Sequence, residues 1–180
     1  MQTKAQIMDE VGMHRSITRM AHEILERNKG LEGLTMVGIQ TRGAILADRI
    51  ADKMASIEGT RPPVQHLDPR PYRDDVDAAR RPHPSQVNLT VQNQAVVLVD
   101  DVLYTGRTVR AALDALMSAG RARTVQLAAL IDRGHRELPI RADYVGKNVP
   151  TSRNEMIAVR LQEVDHEDGV WIVNPDDSLT

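Results

Sequence analysis

Three short apolar runs, Leu34 to Ile39, Ala95 to Val99 and Val125 to Ile131, restrict the fold of this chain more than any other feature. Each is too short for a buried helix and nearly continuous in its hydrophobicity, so each reads as a strand covered on both faces. Helical stretches follow the first two, from about Gly43 to Ile57 with a stop at Gly59, and from about Thr108 to Ser118 with a stop at Gly120. Ahead of them, residues 14–28 place Ile17, Met20, Ala21, Ile24 and Leu25 on one stripe of an amphipathic helix ending at Lys29-Gly30. Repeated strand-helix alternation predicts the α/β class, a mostly parallel central sheet flanked by helices with right-handed crossovers.

The connections are less regular. Val64 to Leu67 begins a further strand, and Asp68 to Gln86, with Pro69, Pro71, Pro82 and Pro84, reads as a long mobile loop. Val87 to Val91 alternates apolar and polar residues and is expected to pair with Ala95 to Val99 as a hairpin. Past Arg141, the segments Ala142 to Val149, Met156 to Leu161 and Val170 to Val173 are expected to be strands forming an edge or a small β hood. With 180 residues, no repeat and no linker, one domain over 1–180 is expected.

Composition narrows the chemistry. There is no Cys, which removes thiolate catalysis and Cys-based zinc sites and fits a reducing compartment. No 18-residue apolar stretch or signal-peptide pattern is visible, so a cytoplasmic protein without membrane association is expected. A net charge of −2 excludes inferring a nucleic-acid partner from charge alone; a local basic patch is required. The aromatic residues are Tyr72, Tyr104, Tyr144 and Trp171, too few for base stacking on several rings.

The functional signal lies in Val96 to Thr108, VVLVDDVLYTGRT. Asp100-Asp101 ends the most hydrophobic strand, where ligands of open parallel sheets collect. Thr105-Gly106-Arg107-Thr108 then offers backbone N–H groups and hydroxyls at a helix start, which suits a phosphate. Carboxylates repel phosphate but accept from sugar hydroxyls, so the pair of features fits a sugar phosphate better than free phosphate. A P-loop nucleotidase is excluded, because Ala44-Ile45 stands where GxxxxGK[ST] requires Lys and a hydroxyl residue. A GxGxxG dinucleotide fingerprint is also missing.

These thirteen residues resemble the phosphoribosyl pyrophosphate (PRPP) motif of type I phosphoribosyltransferases. The resemblance implies that Asp100 and Asp101 hold the ribose hydroxyls and Thr105 to Thr108 the 5′-phosphate. It also implies that Thr41-Arg42-Gly43 forms the pyrophosphate loop, with Arg42 neutralising the leaving group, and that Tyr72-Arg73-Asp74-Asp75 belongs to a flexible lid. Magnesium is expected to arrive with PRPP, with no separate protein metal site. Tyr104 stands where several relatives carry an acidic residue before the TG pair, which disfavours a purine substrate. Ala142 to Gly146 resembles a base-facing segment, which implies Tyr144 on the nucleobase face and the Val145 backbone at its edge. An isolated Tyr in a strand can equally be a core residue.

The first helix, YRDD, VDDVLYTGRT and RGHRELPIRADYVGKN together resemble the PyrR family, attenuators of pyrimidine operons with uracil phosphoribosyltransferase activity. The resemblance covers nearly the whole chain. It implies conversion of uracil and PRPP to UMP and pyrophosphate, sensing of UMP or UTP, and binding of leader mRNA. The implied RNA-binding residues are Arg15, Thr18, Arg19, His22 and Arg27 on the first helix, with Arg133, His135, Arg136, Arg141 and Lys147 as a second cluster. Spacing alone would make the helix face an ordinary solvated surface. A homodimer or higher oligomer could join the two patches. Asp68-Pro69-Arg70-Pro71 and Arg80-Arg81-Pro82-His83-Pro84 depart from the family pattern and concern lid motion. The alternatives are a pure nucleobase-salvage phosphoribosyltransferase and a nonenzymatic nucleotide sensor.

Overall fold

The computed structural model describes residues 2–81 and 87–175. Pro82 to Gln86, within the expected long loop, lie outside the described residues. The chain opens with strand β1 (Gln2–Met8), then helix α1 (Glu10–Asn28), β2 (Leu34–Ile39), α2 (Arg42–Glu58) and β3 (Val64–Leu67). After two short 3-10 turns come β4 (Ala95–Leu103), α3 (Arg107–Ala119), β5 (Thr124–Asp132), β6 (Tyr144–Asn148), β7 (Met156–Arg160), α4 (Gln162–Asp165) and β8 (Gly169–Asn174).

Five strands form a parallel sheet in the order β3-β2-β4-β5-β6. Alternation along β4 divides its side chains between two cores. Val97 and Val99 meet Ile24, Leu46, Ile50 and Met54 under α1 and α2, while Val96 and Leu98 meet Val109, Ala112 and Leu116 under α3. All six residues of β2 are buried, which explains its continuous apolar run. Each buried Leu or Ile contributes roughly 1.5–3 kcal/mol relative to exposure.

Helix α1 begins four residues before the periodicity suggests, because Asp9 caps it by accepting from the Gly12 N–H at 2.7 Å. The expected hairpin between Val87–Val91 and Ala95–Val99 does not form. Both edges of β4 are taken by β2 and β5, so no edge remains for another partner. Val91 is buried beneath α3 instead. The Gln65 side chain brackets Thr90, donating to its carbonyl at 2.9 Å and accepting from its N–H at 2.7 Å. This side-chain pairing accounts for strand-like alternation without a strand.

The C-terminal segments divide. Strand β6 extends the main sheet, whereas β7 and β8 join β1 in an antiparallel hood, order β1-β8-β7. Strand β1 has no clear sequence signature, since its first five residues are exposed and its partner is more than 160 residues away. The hood is tied to α2 by ion pairs. Arg49 reaches Glu163 at 2.5 Å and Asp168 at 2.8 Å, and Arg42 grips Asp165 through Nη2 at 2.8 Å and Nε at 3.2 Å.

Candidate active site

The carboxyl end of β4 carries the acidic pair. Asp100 is buried, and its Oδ1 accepts from the Asp101 N–H at 2.9 Å, while Asp101 Oδ1 accepts from the Val102 N–H at 2.8 Å. Burial, then the neighbouring Asp101, pushes the Asp100 carboxyl well above the usual carboxylate range. Two carboxyls at a strand end, one largely dehydrated, form a strong acceptor pair awaiting donors.

Immediately beyond, Thr105 to Thr108 make the turn into α3. Gly106 caps the helix with φ of 92°, a left-handed conformation that disfavours a side chain. A Cβ there would also lie 3.3 Å from Ile140. Thr105 Oγ1 accepts from the Arg107 N–H at 3.3 Å. The outward carbonyl of Thr105 accepts from the N–H groups of Glu137 at 3.0 Å and Leu138 at 3.3 Å. With its carbonyl so engaged, the turn opens onto a cavity of about 360 Å³ lined by Arg73, Asp100, Val102 to Val109 and Glu137.

A second cavity of about 410 Å³ lies over Ile39, Gln40 and Thr41 and is walled by Asp68, Arg70, Arg73, Asp100, Asp101 and Thr108. The two cavities share Arg73, Asp100, Val102 and Thr108. The β2 turn fits so closely because Gly43 packs on β4: a Cβ there would collide with the Val99 carbonyl and lie 3.1 Å from Asp100 Cα. Thr41 and Gly43 therefore stand beside the acidic pair. The Arg42 side chain does not enter this space; its fork is turned to Asp165 of the hood. Sequence reading missed Gln40, Asp68, Arg70, Val102 and Glu137. Only their places next to strand ends could have signalled them.

The YRDD segment closes one wall. Tyr72 meets Ser118 Oγ at 3.1 Å, Arg73 donates to Thr108 Oγ1 at 3.1 Å and pairs with Asp75, and Asp74 lies 3.4 Å from both Arg107 and Arg110. Arg73 thus reaches Thr108 at the start of α3 and the field of Asp100 together.

Two expected roles are overturned. Tyr144 is 3% exposed and opens β6 opposite Ala128. Its hydroxyl donates to Gln126 Oε1 at 2.6 Å, and Gln126 Nε2 donates to Asn28 Oδ1 at 2.8 Å. This buried triad fastens α1 to the sheet, so the ring is core and does not face a nucleobase. The Val145 carbonyl likewise turns to α1, accepting from Arg19 at 3.1 Å. Arg133 is the second correction for the RNA set. Its guanidinium is 6% exposed and donates to Thr151 Oγ1 and the carbonyls of Ser152 and Glu155, lying 3.9 Å over the Tyr104 ring. A cation so buried and bonded braces the loop after β5.

The other basic residues fall into two settings. On α1, Arg15, Arg19, His22 and Arg27 are exposed, and the Thr18 hydroxyl donates back to the His14 carbonyl at 2.9 Å. Arg19 also reaches the Gly146 carbonyl at 2.5 Å, Arg27 pairs with Asp143 at 2.8 Å, and Lys147 donates to the Ile7 carbonyl at 3.3 Å. Helix α1 and the segment Asp143 to Lys147 therefore share one surface, and Arg141 is exposed just before it. His135 and Arg136 sit elsewhere, against the turn into α3: His135 bonds the Thr151 carbonyl, and Arg136 donates to Tyr104 O and Ile140 O at 2.8 Å and to Asp132 at 2.6 Å. Among the described residues no cluster of three or more acidic or histidine side chains could hold a metal ion. No helix among the described residues is long and apolar enough to cross a membrane.

Residues 4–164 match the phosphoribosyl transferase domain family. The chain is 59% identical over 173 residues to a bifunctional protein PyrR of Pelotomaculum thermopropionicum, covering 94% of this chain and 96% of that protein. It is 57% identical over 172 residues to a bifunctional protein PyrR of Clostridioides difficile, covering 94% and 97%. In fold it is similar to a hypoxanthine phosphoribosyltransferase from Staphylococcus aureus, with a TM-score of 0.76 at 17% identity over 99% of this chain and 96% of that one.

Proposed function

Because the chain belongs to the phosphoribosyl transferase domain family, and within it to the bifunctional PyrR proteins, we propose that it makes UMP from uracil and PRPP and binds the leader mRNA of pyrimidine genes in response to uridine nucleotides. The observation that carries the enzymatic half is the meeting of two cavities at Asp100 and Arg73, one over the phosphate turn and one over Gln40-Thr41. The 5′-phosphate occupies the turn at Thr105 to Thr108, where helix-start N–H groups favour an anion. Asp100 and Asp101 accept from the ribose hydroxyls, and pyrophosphate lies over Gln40 and Thr41, beside Arg73 and Arg70. A uracil nitrogen then bonds to C1 of the ribose as the C1–O bond to pyrophosphate breaks, and the proton from that nitrogen leaves to water or to the departing pyrophosphate.

Magnesium carried by PRPP would, when bound, supply neutralisation of leaving-group charge. Half-buried Asp101, with buried Asp100 beside it, would offer such an ion the oxygen donors it prefers. Arg73 supplies fixed positive charge near the leaving group. Arg42 supports the turn through Asp165 unless that pair opens.

The RNA reading rests on the exposed cations of α1 with Lys147 beside them, and on exposed Arg141 just before that segment, since Arg and His can bind phosphates and base edges. Association into a dimer or higher oligomer would extend this surface. Incubation with PRPP, magnesium and radiolabelled uracil, hypoxanthine or orotate tests the enzyme; absence of UMP from the uracil reaction would overturn it. Leader-RNA binding with and without UMP across salt concentrations tests the regulator. Arg15→Ala and His22→Ala should weaken RNA binding and leave UMP synthesis intact. Arg136→Ala is a poorer probe, because Arg136 also holds the Tyr104 carbonyl.

A further inference from the structure

The segment between β5 and β6 is bonded directly to the phosphate turn. Glu137 and Leu138 donate their N–H groups to the Thr105 carbonyl, Arg136 donates to the Tyr104 carbonyl, and Leu138 and Ile140 close over Gly106. One side chain of the turn itself completes the connection. Arg107 stands between two carboxylates, 3.4 Å from Asp74 of the lid and 3.5 Å from Glu137. Both distances exceed the 2.7–2.9 Å of a tight charge-assisted bond, so the guanidinium is held loosely by two competing anions. It also lines the cavity over the turn.

We infer that Arg107 is a switch arm: it holds Glu137 when the phosphate turn is empty and leaves Glu137 for a bound 5′-phosphate. This rests on the reading of the chain as a nucleotide-responsive RNA-binding phosphoribosyltransferase and names the contact that links the two activities. A phosphate offers an Arg fork two parallel acceptors and more charge than one carboxylate. Its arrival therefore draws Arg107 inward and removes the side-chain tie on Glu137, leaving the segment that also carries His135 and Arg136 held to the turn by the bonds to the Thr105 and Tyr104 carbonyls alone. Nucleotide binding and the position of that segment then become linked equilibria, and by reciprocity RNA binding must tighten nucleotide binding by the same factor.

The test uses Glu137→Gln in the full chain, with UMP affinity measured by calorimetry and affinity for the transcribed leader of the organism's own pyrimidine operon measured with and without saturating UMP. In the wild type the ratio of RNA affinities should fall within the range of about 5–150-fold usual for linked sites. In Glu137→Gln, RNA affinity without UMP should rise to the UMP-bound value, bringing the ratio near one, and UMP itself should bind more tightly because its competitor for Arg107 has lost its charge. A ratio equal to the wild type's overturns the switch, as does a ratio that collapses through loss of the UMP-bound affinity or weaker UMP binding. A uniform gain in RNA affinity with the ratio preserved would mean only that a negative charge had been removed, and it also overturns the proposal. If the wild type binds no leader RNA under either condition, the functional reading fails instead.

Discussion

Replacing Gly43 by Ala should damage the site through packing alone. The added methyl would fall inside van der Waals contact with the Val99 carbonyl and 3.1 Å from Asp100 Cα. Strand β4 cannot yield, because it is hydrogen-bonded on both edges and Val99 is 1% exposed. The first turn of α2 must therefore retreat by roughly 1 Å, carrying Thr41 and Arg42 with it. Overfilling of this kind costs about 1–3 kcal/mol, and for a chain of this size that corresponds to a Tm lower by about 2–12 °C. A 1 Å displacement of a positioning element costs about a hundredfold in rate, so kcat/KM for PRPP should fall by about that factor at a temperature where the variant is still fully folded. Thermal melts and steady-state kinetics on Gly43→Ala measure both. Gly59→Ala is the control, since Gly59 has φ of 85° with open space around its missing Cβ. It should lose about 1–2 kcal/mol from backbone strain and keep its kcat/KM. Wild-type kinetics in Gly43→Ala would refute the close α2–β4 contact as the device that places the pyrophosphate turn.

Asp100→Asn should abolish PRPP use while raising Tm at pH 7. The Asp100 carboxyl is raised by burial, so its favourable contribution is present below the unfolded pKa and is lost as pH rises through the folded value; the variant's advantage in Tm should therefore grow from acid to neutral pH. Glu163, Asp165 and Asp168 are held below their usual values by Arg49 and Arg42, so their contribution is present above the unfolded carboxylate pKa and fades as pH falls through the lowered values. Arg49→Gln should flatten that acid limb, which pH-dependent melts would reveal. Tyr144→Phe should cost about 1 kcal/mol from the lost hydrogen bond with no change in KM for uracil; a raised KM at unchanged Tm would return the ring to the substrate.

Local sequence determined the parallel core and the chemistry at its edge. Continuous apolar runs can only be strands covered on both faces, and an acidic pair followed by TGRT at a helix start can only converge on one ligand, since a strand end and the next helix start are neighbours in any right-handed crossover. That is why the gathering of Asp100, Asp101 and Thr105 to Thr108 around adjoining cavities was legible in the sequence. Tertiary structure decided what depends on partners remote in sequence. It drew β1 to β8, placed Thr90 against Gln65 without a strand, and turned Arg42 to Asp165. It buried Tyr144 and Arg133, residues whose polar ends made them look functional, because each polar atom found an acceptor in the interior. Whether a Tyr or Arg meets ligand or core is set by the neighbours that satisfy its donors, and for these two the fold supplied them from Gln126, Thr151 and Glu155.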